Sequence, residues 1–135
     1  AVSQQARKIR PGIKISAAVF GNWPADRDRI GQDWSLWCKR GYLDFVCPMD
    51  YTPRTGAFAQ LVAKQIKWAG TAALCPGIGA SVWTPRSEPC KVIAQIKATR
   101  AAGAKGFTIF NYSALEAAEL LPMLSKGITR KTSEQ

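Results

Sequence analysis

Four apolar runs recur along this chain at nearly constant spacing, and segments of helical periodicity separate them. The runs begin near Ile13, Leu43, Ala72 and Gly106, at intervals of 30, 29 and 34 residues. Alternation of this kind predicts parallel strands joined by right-handed helical crossovers. A (β/α)8 TIM barrel of about 250 residues uses roughly 31 residues per unit, so the period fits four such units, or half a barrel. An open doubly wound, flavodoxin-like sheet has a similar period and is the alternative α/β architecture.

Taken in order, residues near 2–10 read as a leading helix stopped by Pro11-Gly12. Ile13 to Phe20 is the first strand. Asp26 is a plausible cap for one helix running to about Arg40, with Ile30, Trp34, Trp37 and Cys38 on one face and Gly41 as its stop. After the strand around Phe45, a helix carries Phe58, Leu61, Val62, Gln65, Ile66 and Ala69 on a mostly apolar face. The run from Ala72 to Ala80 is interrupted by Pro76-Gly77, which a central strand tolerates only at a bulge or bend. Ser87 is a candidate cap for the next helix, with Pro89 in its first turn. The strand Gly106 to Phe110 follows. Ser113-Ala114-Leu115-Glu116 is a capping box for the last helix, which Pro122 breaks or kinks. Residues 1–127 are expected to form the half-barrel and 128–135 a polar tail.

With 135 residues, 47% of them hydrophobic and 21% charged, the chain can build one ordinary core. It has no apolar run of membrane-spanning length. Its first residues lack the apolar core of a signal peptide. The chain starts without Met, which suggests a processed product or an excised piece. The net charge of +10 invites a nucleic-acid reading. The basic residues are scattered, however, and no nucleic-acid motif accompanies them; they read as solvated helix faces, and an anionic glycan also suits them. Cys38, Cys47, Cys75 and Cys90 have no CxxC spacing, and the chain has no histidine, so neither a zinc site nor a disulfide framework is expected. No cofactor motif is present. The missing histidine also excludes a Ser-His-Asp triad within the chain, despite Ser81 and Ser113.

The stretch Leu43 to Met49 is apolar almost throughout and ends abruptly in Asp50, Tyr51 and Thr52. Groups just past the C-terminal ends of parallel strands form the ligand site in α/β folds. Asp50 is therefore either a site carboxylate or a turn carboxylate that caps the next helix. The other loops on that side hold Asn22, Trp23, Tyr51, Arg54, Ser81, Trp83, Thr84, Arg86, Asn111 and Tyr112. Aromatics with hydrogen-bonding neighbours suit sugar rings, whose apolar faces stack while their hydroxyls bond. Trp23 and Trp83 read equally as packed loop lids.

The segments Ile15 to Gly21, Gly31 to Trp34 and Gly41 to Tyr51, with Pro76 to Gly79 and Gly106 to Tyr112, resemble the glycosyl-hydrolase-like 10 family. The resemblance covers most of the chain. It implies a (β/α)8 barrel acting on polysaccharide, in proteins that are mostly bacterial and exported or periplasmic. It also implies that this chain is the C-terminal half, strands five to eight, because nothing here matches the family's upstream strand motif of the type Leu-Asp-Tyr-Ile-Arg-Tyr-Pro.

Glycoside hydrolysis usually needs two carboxyl groups about 5 to 9.5 Å apart. Asp44 starts its strand and lies at the opposite end; the other acids fall on helices, helix starts or the tail. Only Asp50 is placed for catalysis, as general acid or transition-state stabiliser. A second carboxylate would come from the missing half, so the chain is expected to be inactive alone. Asn22, Trp23, Tyr51, Arg54, Trp83, Arg86, Asn111 and Tyr112 are the expected substrate-binding residues. The expected partners are a glycan and either the missing half-barrel or a second copy of this chain, because the first and fourth strands would be unpaired edges. A non-catalytic glycan-binding or structural domain is the rival reading, and nucleic-acid binding a third.

Overall fold

The structure is a computed structural model that describes residues 2–81 and 88–130. Its elements run α1 (Val2–Ile9), β1 (Ser16–Phe20), α2 (Trp23–Ile30), α3 (Trp34–Lys39), β2 (Phe45–Met49), α4 (Thr55–Ala69), β3 (Ala73–Leu74), β4 (Gly77–Gly79), α5 (Pro89–Ala101) and β5 (Thr108–Phe110). A π-helical segment (Glu116–Leu120) then leads into α6 (Leu121–Lys126). This is a mixed α/β fold around one parallel sheet. The order is β1-β2-β4-β5, with β3 also pairing β2. β3 and β4 both pair β2 and share one strand position, so the four positions follow one another in sequence order and never reverse. A flavodoxin-like sheet has a switch point where it does reverse; the described strands follow instead the order of consecutive barrel units.

Alternation along the strands divides the sheet into two faces. Ala17, Val19, Val46, Leu74, Ile78 and Ile109 belong to the apolar core shared with Trp34, Phe58, Val62, Val92, Ile96 and Leu120 of the helical layer. The register pairs Ser16, Ala18 and Phe20 with Phe45, Cys47 and Met49 on the opposite face, which continues through Gly77 and Gly79 to Thr108 and Phe110. That second face is open along β1, where Ser16, Ala18 and Phe20 are exposed, while Cys47 and Gly77 at its centre are buried.

Three local departures from the sequence pattern have simple causes. The single helix expected from Asp26 to Arg40 is two. Gly31 ends α2 in the left-handed conformation (φ 71°), and the Asp33 carboxylate caps α3 by accepting from the Leu36 amide at 3.2 Å. Asp26 lies inside α2 and accepts from the Asn22 amide at 3.0 Å. The third run does bend at its proline: β3 and β4 are separate short strands on either side of Cys75-Pro76. Near the C-terminus, the Ser113 hydroxyl donates to the Glu116 carboxylate. The helix widens into π geometry before Pro122, where an α-helical ladder would need the amide proline lacks. Ser87 lies outside the described residues.

Gly77 lets the sheet close up around an aromatic ring. A Cβ there would lie 2.8 Å from the Pro48 carbonyl and 2.8 Å from the Phe110 ring. Because one obstacle is backbone, Gly77→Ala should destabilise the fold by about 1–3 kcal/mol in urea titration. A change within measurement error would show that β2 and β5 are less tightly seated against β4.

Candidate functional site

The C-terminal ends of the strands carry two separate groups of side chains, one on each side of the sheet. On the open side, Tyr51 and Phe110 meet edge to face with ring centroids 5.3 Å apart. Glycine makes this possible, since a Cβ on Gly79 would lie 3.0 Å from the Tyr51 ring. Beside them, the Ser81 hydroxyl donates to Asn111 Oδ1 at 2.7 Å and accepts from the Asn111 amide at 3.2 Å. Tyr112 follows, 79% exposed. The peptide bond between Phe110 and Asn111 is cis. Phe20, 45% exposed, and Met49 extend the apolar surface along the same face.

Asp50 belongs to the other group. It follows β2 directly, as expected, but strand alternation gives it the side of Val46 and Pro48, toward the helices. It is 2% exposed. Its Oδ1 accepts from Gln65 Nε2 on α4 at 2.6 Å, and the same Nε2 donates to the Gly21 carbonyl at 3.0 Å. Gly21 leaves room for this, because a Cβ there would come within 2.5 Å of Asp50 Oδ1. Asp50 Oδ2 and Gln65 Oε1 are buried without a hydrogen-bond partner. Burial pushes the Asp50 carboxyl up to about 7, against the smaller opposing effect of the Gln65 bond. The carboxyl thus ties the end of β2 to the loop after β1 through one amide of α4. It does not cap α4, whose N-cap residue is Arg54.

The remaining expected residues are dispersed. Trp23 is the first residue of α2 and packs in the helical layer: its ring lies 5.8 Å from Trp68, its Nε1 donates to Asp33 at 2.7 Å, and Arg27 and Lys39 sit over it. It acts as a packed residue in this arrangement. Asn22 is exposed beside it. Arg54 is exposed at the start of α4, with its amide donating to Thr52 Oγ1 at 3.3 Å. The Thr52 carbonyl accepts from Gln95 Nε2 at 2.8 Å, which anchors this loop to α5. Trp83 and Arg86 lie outside the described residues. Of the expected set, therefore, Tyr51, Asn111 and Tyr112 gather at the open rim, and Asp50 stands behind it.

At the other end of the sheet, Asp44 holds α1 and β1 against β2. Its Oδ2 accepts from the Ile15 amide at 2.7 Å and from Arg7 at 3.1 Å. These bonds, the backbone one foremost, hold its carboxyl below the usual range. The four cysteines are free, and among the described residues no cluster of His, Cys, Asp or Glu could hold a metal ion. No described helix is long and apolar enough to cross a membrane.

Sequence reading passed over Gln65 and Gly21, the partners of Asp50. The signal was a glutamine in the apolar stripe of α4, where a buried polar group needs a hydrogen-bond partner. Comparison with protein-family models, curated proteins and solved structures finds no match to this chain.

Proposed function

We propose that this chain is the glycan-binding half of a glycoside-hydrolase-like barrel, acting on a polysaccharide only when joined to a different half that supplies the missing carboxylate. The open rim supports this reading: Tyr51, Phe110 and Tyr112 offer aromatic surface, and Asn111 and Ser81 offer hydrogen-bonding groups within reach of it. The motifs that resemble the glycosyl-hydrolase-like 10 family point the same way. No described carboxylate lines this rim, so bond cleavage needs groups from elsewhere. The expected result is measurable polysaccharide retention in affinity electrophoresis without turnover. Tyr112→Ala and Asn111→Ala should each weaken it, by several-fold to roughly ten-fold for the aromatic. Retention unchanged by both substitutions would remove the rim as the binding surface. Retention that collapses steeply with salt, and is shared by DNA, would favour a charge-driven binder instead.

A second reading is favoured by one observation. The unpartnered Oδ2 and raised pKa of Asp50 suit a general acid, which must be protonated near neutral pH. In that case the glycan would have to reach the carboxyl at the strand ends, on the helix side behind Tyr51. Asp50→Asn should then lower turnover on the order of 10²–10⁴-fold with folding intact.

A further inference from the structure

We infer that the open sheet face is closed by a second copy of this chain, related by a twofold axis parallel to the strands. Three observations combine. First, the four strand positions follow one another without reversal, and the described helices pack on one side of the sheet. Such an arrangement leaves two free parallel edges, at β1 and β5. A twofold axis along the strands keeps every strand parallel and brings the β5 edge of each copy to the β1 edge of the other. Eight strands then form a closed ring with two identical seams, and closure removes the edges that otherwise invite uncontrolled pairing.

Second, the hydrogen-bonding groups at the edges are complementary. The Thr108 amide donates to Pro76 and the Phe110 carbonyl accepts from Ala80, so both residues face β4. By alternation, the Ile109 amide and carbonyl face outward. On β1, the Phe20 amide donates to Gln32 Oε1 at 2.6 Å, and its carbonyl accepts from Trp34 Nε1 at 3.1 Å. That end of the edge is already covered. The outward groups left open on β1 are those of Ser16 and Ala18, the pair that one outward residue of a parallel neighbour engages. The seam therefore sets Ile109 of one copy between Ser16 and Ala18 of the other.

Third, the face is suited to burial against itself. Its side chains from Ser16 to Phe20, Phe45 to Met49, Gly77 to Gly79 and Thr108 to Phe110 carry no charge. The strongly basic character of the chain is kept off it; Lys14 and Lys105 stand only at its N-terminal margin. The β1 edge also lacks the lysine or proline that commonly blunts exposed strands.

Sedimentation velocity without glycan tests the inference independently of any sugar binding. The chain should run at twice its 14.7 kDa mass over a wide range of concentration. Ala18→Lys and Ser16→Lys place a charge on residues already exposed in the single chain, and each should halve the mass with an unchanged circular dichroism spectrum. The two variants guard against misfolding of either one. A folded 14.7 kDa species at every concentration overturns the inference. So does a dimer that survives both substitutions, because its interface then lies elsewhere, or open-ended polymer, because the seam then does not close.

Discussion

Asp50→Asn should make the chain more stable at pH 8, and should abolish a fall in stability that the parent chain shows between about pH 4 and pH 8. The Asp50 carboxyl is 2% exposed, has a single side-chain donor in Gln65, and is pushed up to about 7 by burial. A carboxyl raised in the folded state binds more protons there than in the unfolded chain. Its contribution is therefore most favourable below the unfolded pKa near 4 and is lost as pH rises through the folded value near 7. The full difference is on the order of 4 kcal/mol. Asparagine keeps an oxygen for Gln65 and never ionises, so the variant should gain about 2–4 kcal/mol at pH 8 and nearly nothing at pH 4. Urea titrations at the two pH values check this. Asp44 works in the opposite direction, since its lowered pKa gives stability that is lost as pH falls into the acid range. The two effects separate because the Asp50 change lies at higher pH. Stability that rises from pH 5 to pH 8, or a variant weaker at both values, would show that the carboxylate has a cationic or hydrogen-bonding partner in the folded chain.

Trp34→Ala should be the most damaging core substitution. Trp34 is fully buried at the start of α3, meets Trp68 edge-on at 6.1 Å, and donates to the Phe20 carbonyl at 3.1 Å. Truncating a buried tryptophan costs about 3–5 kcal/mol, a large share of the 5–15 kcal/mol that holds an ordinary domain together. The indole also holds the carbonyl of the last residue of β1, so its loss should loosen that end and speed hydrogen exchange at Phe20 and the neighbouring amides. Trp34→Phe keeps most of the ring and removes the donor, and should cost less, about 1–3 kcal/mol. Urea midpoints for the two variants, with exchange rates at Phe20, give the test. A loss below about 1 kcal/mol for Trp34→Ala would mean that α3 does not anchor β1.

Much of the architecture was legible in the order of residues alone. The period of the apolar runs implied parallel strands with helical crossovers, and the helix stop at Gly41, like the bend at Pro76, followed from local backbone chemistry. Local chemistry also separates α2 from α3, since Gly31 and Asp33 are ordinary stop and start signals that hydrophobic spacing across Ile30 and Trp34 conceals. Tertiary structure decided which way the key side chains face. Phe45 to Met49 is apolar on both sides of its strand, because one side meets the helices and the other the open face. Such a strand shows no alternation in hydropathy, so residue order does not reveal whether Asp50 or Tyr51 looks toward a ligand. Pairing with β1 and packing on α4 set that phase, turning Asp50 to Gln65 and Tyr51 to Phe110. The strand order is likewise a property of the assembled sheet. A period of about thirty residues suits both a barrel segment and a doubly wound sheet, and only the pairing of β1, β2, β4 and β5 distinguishes them.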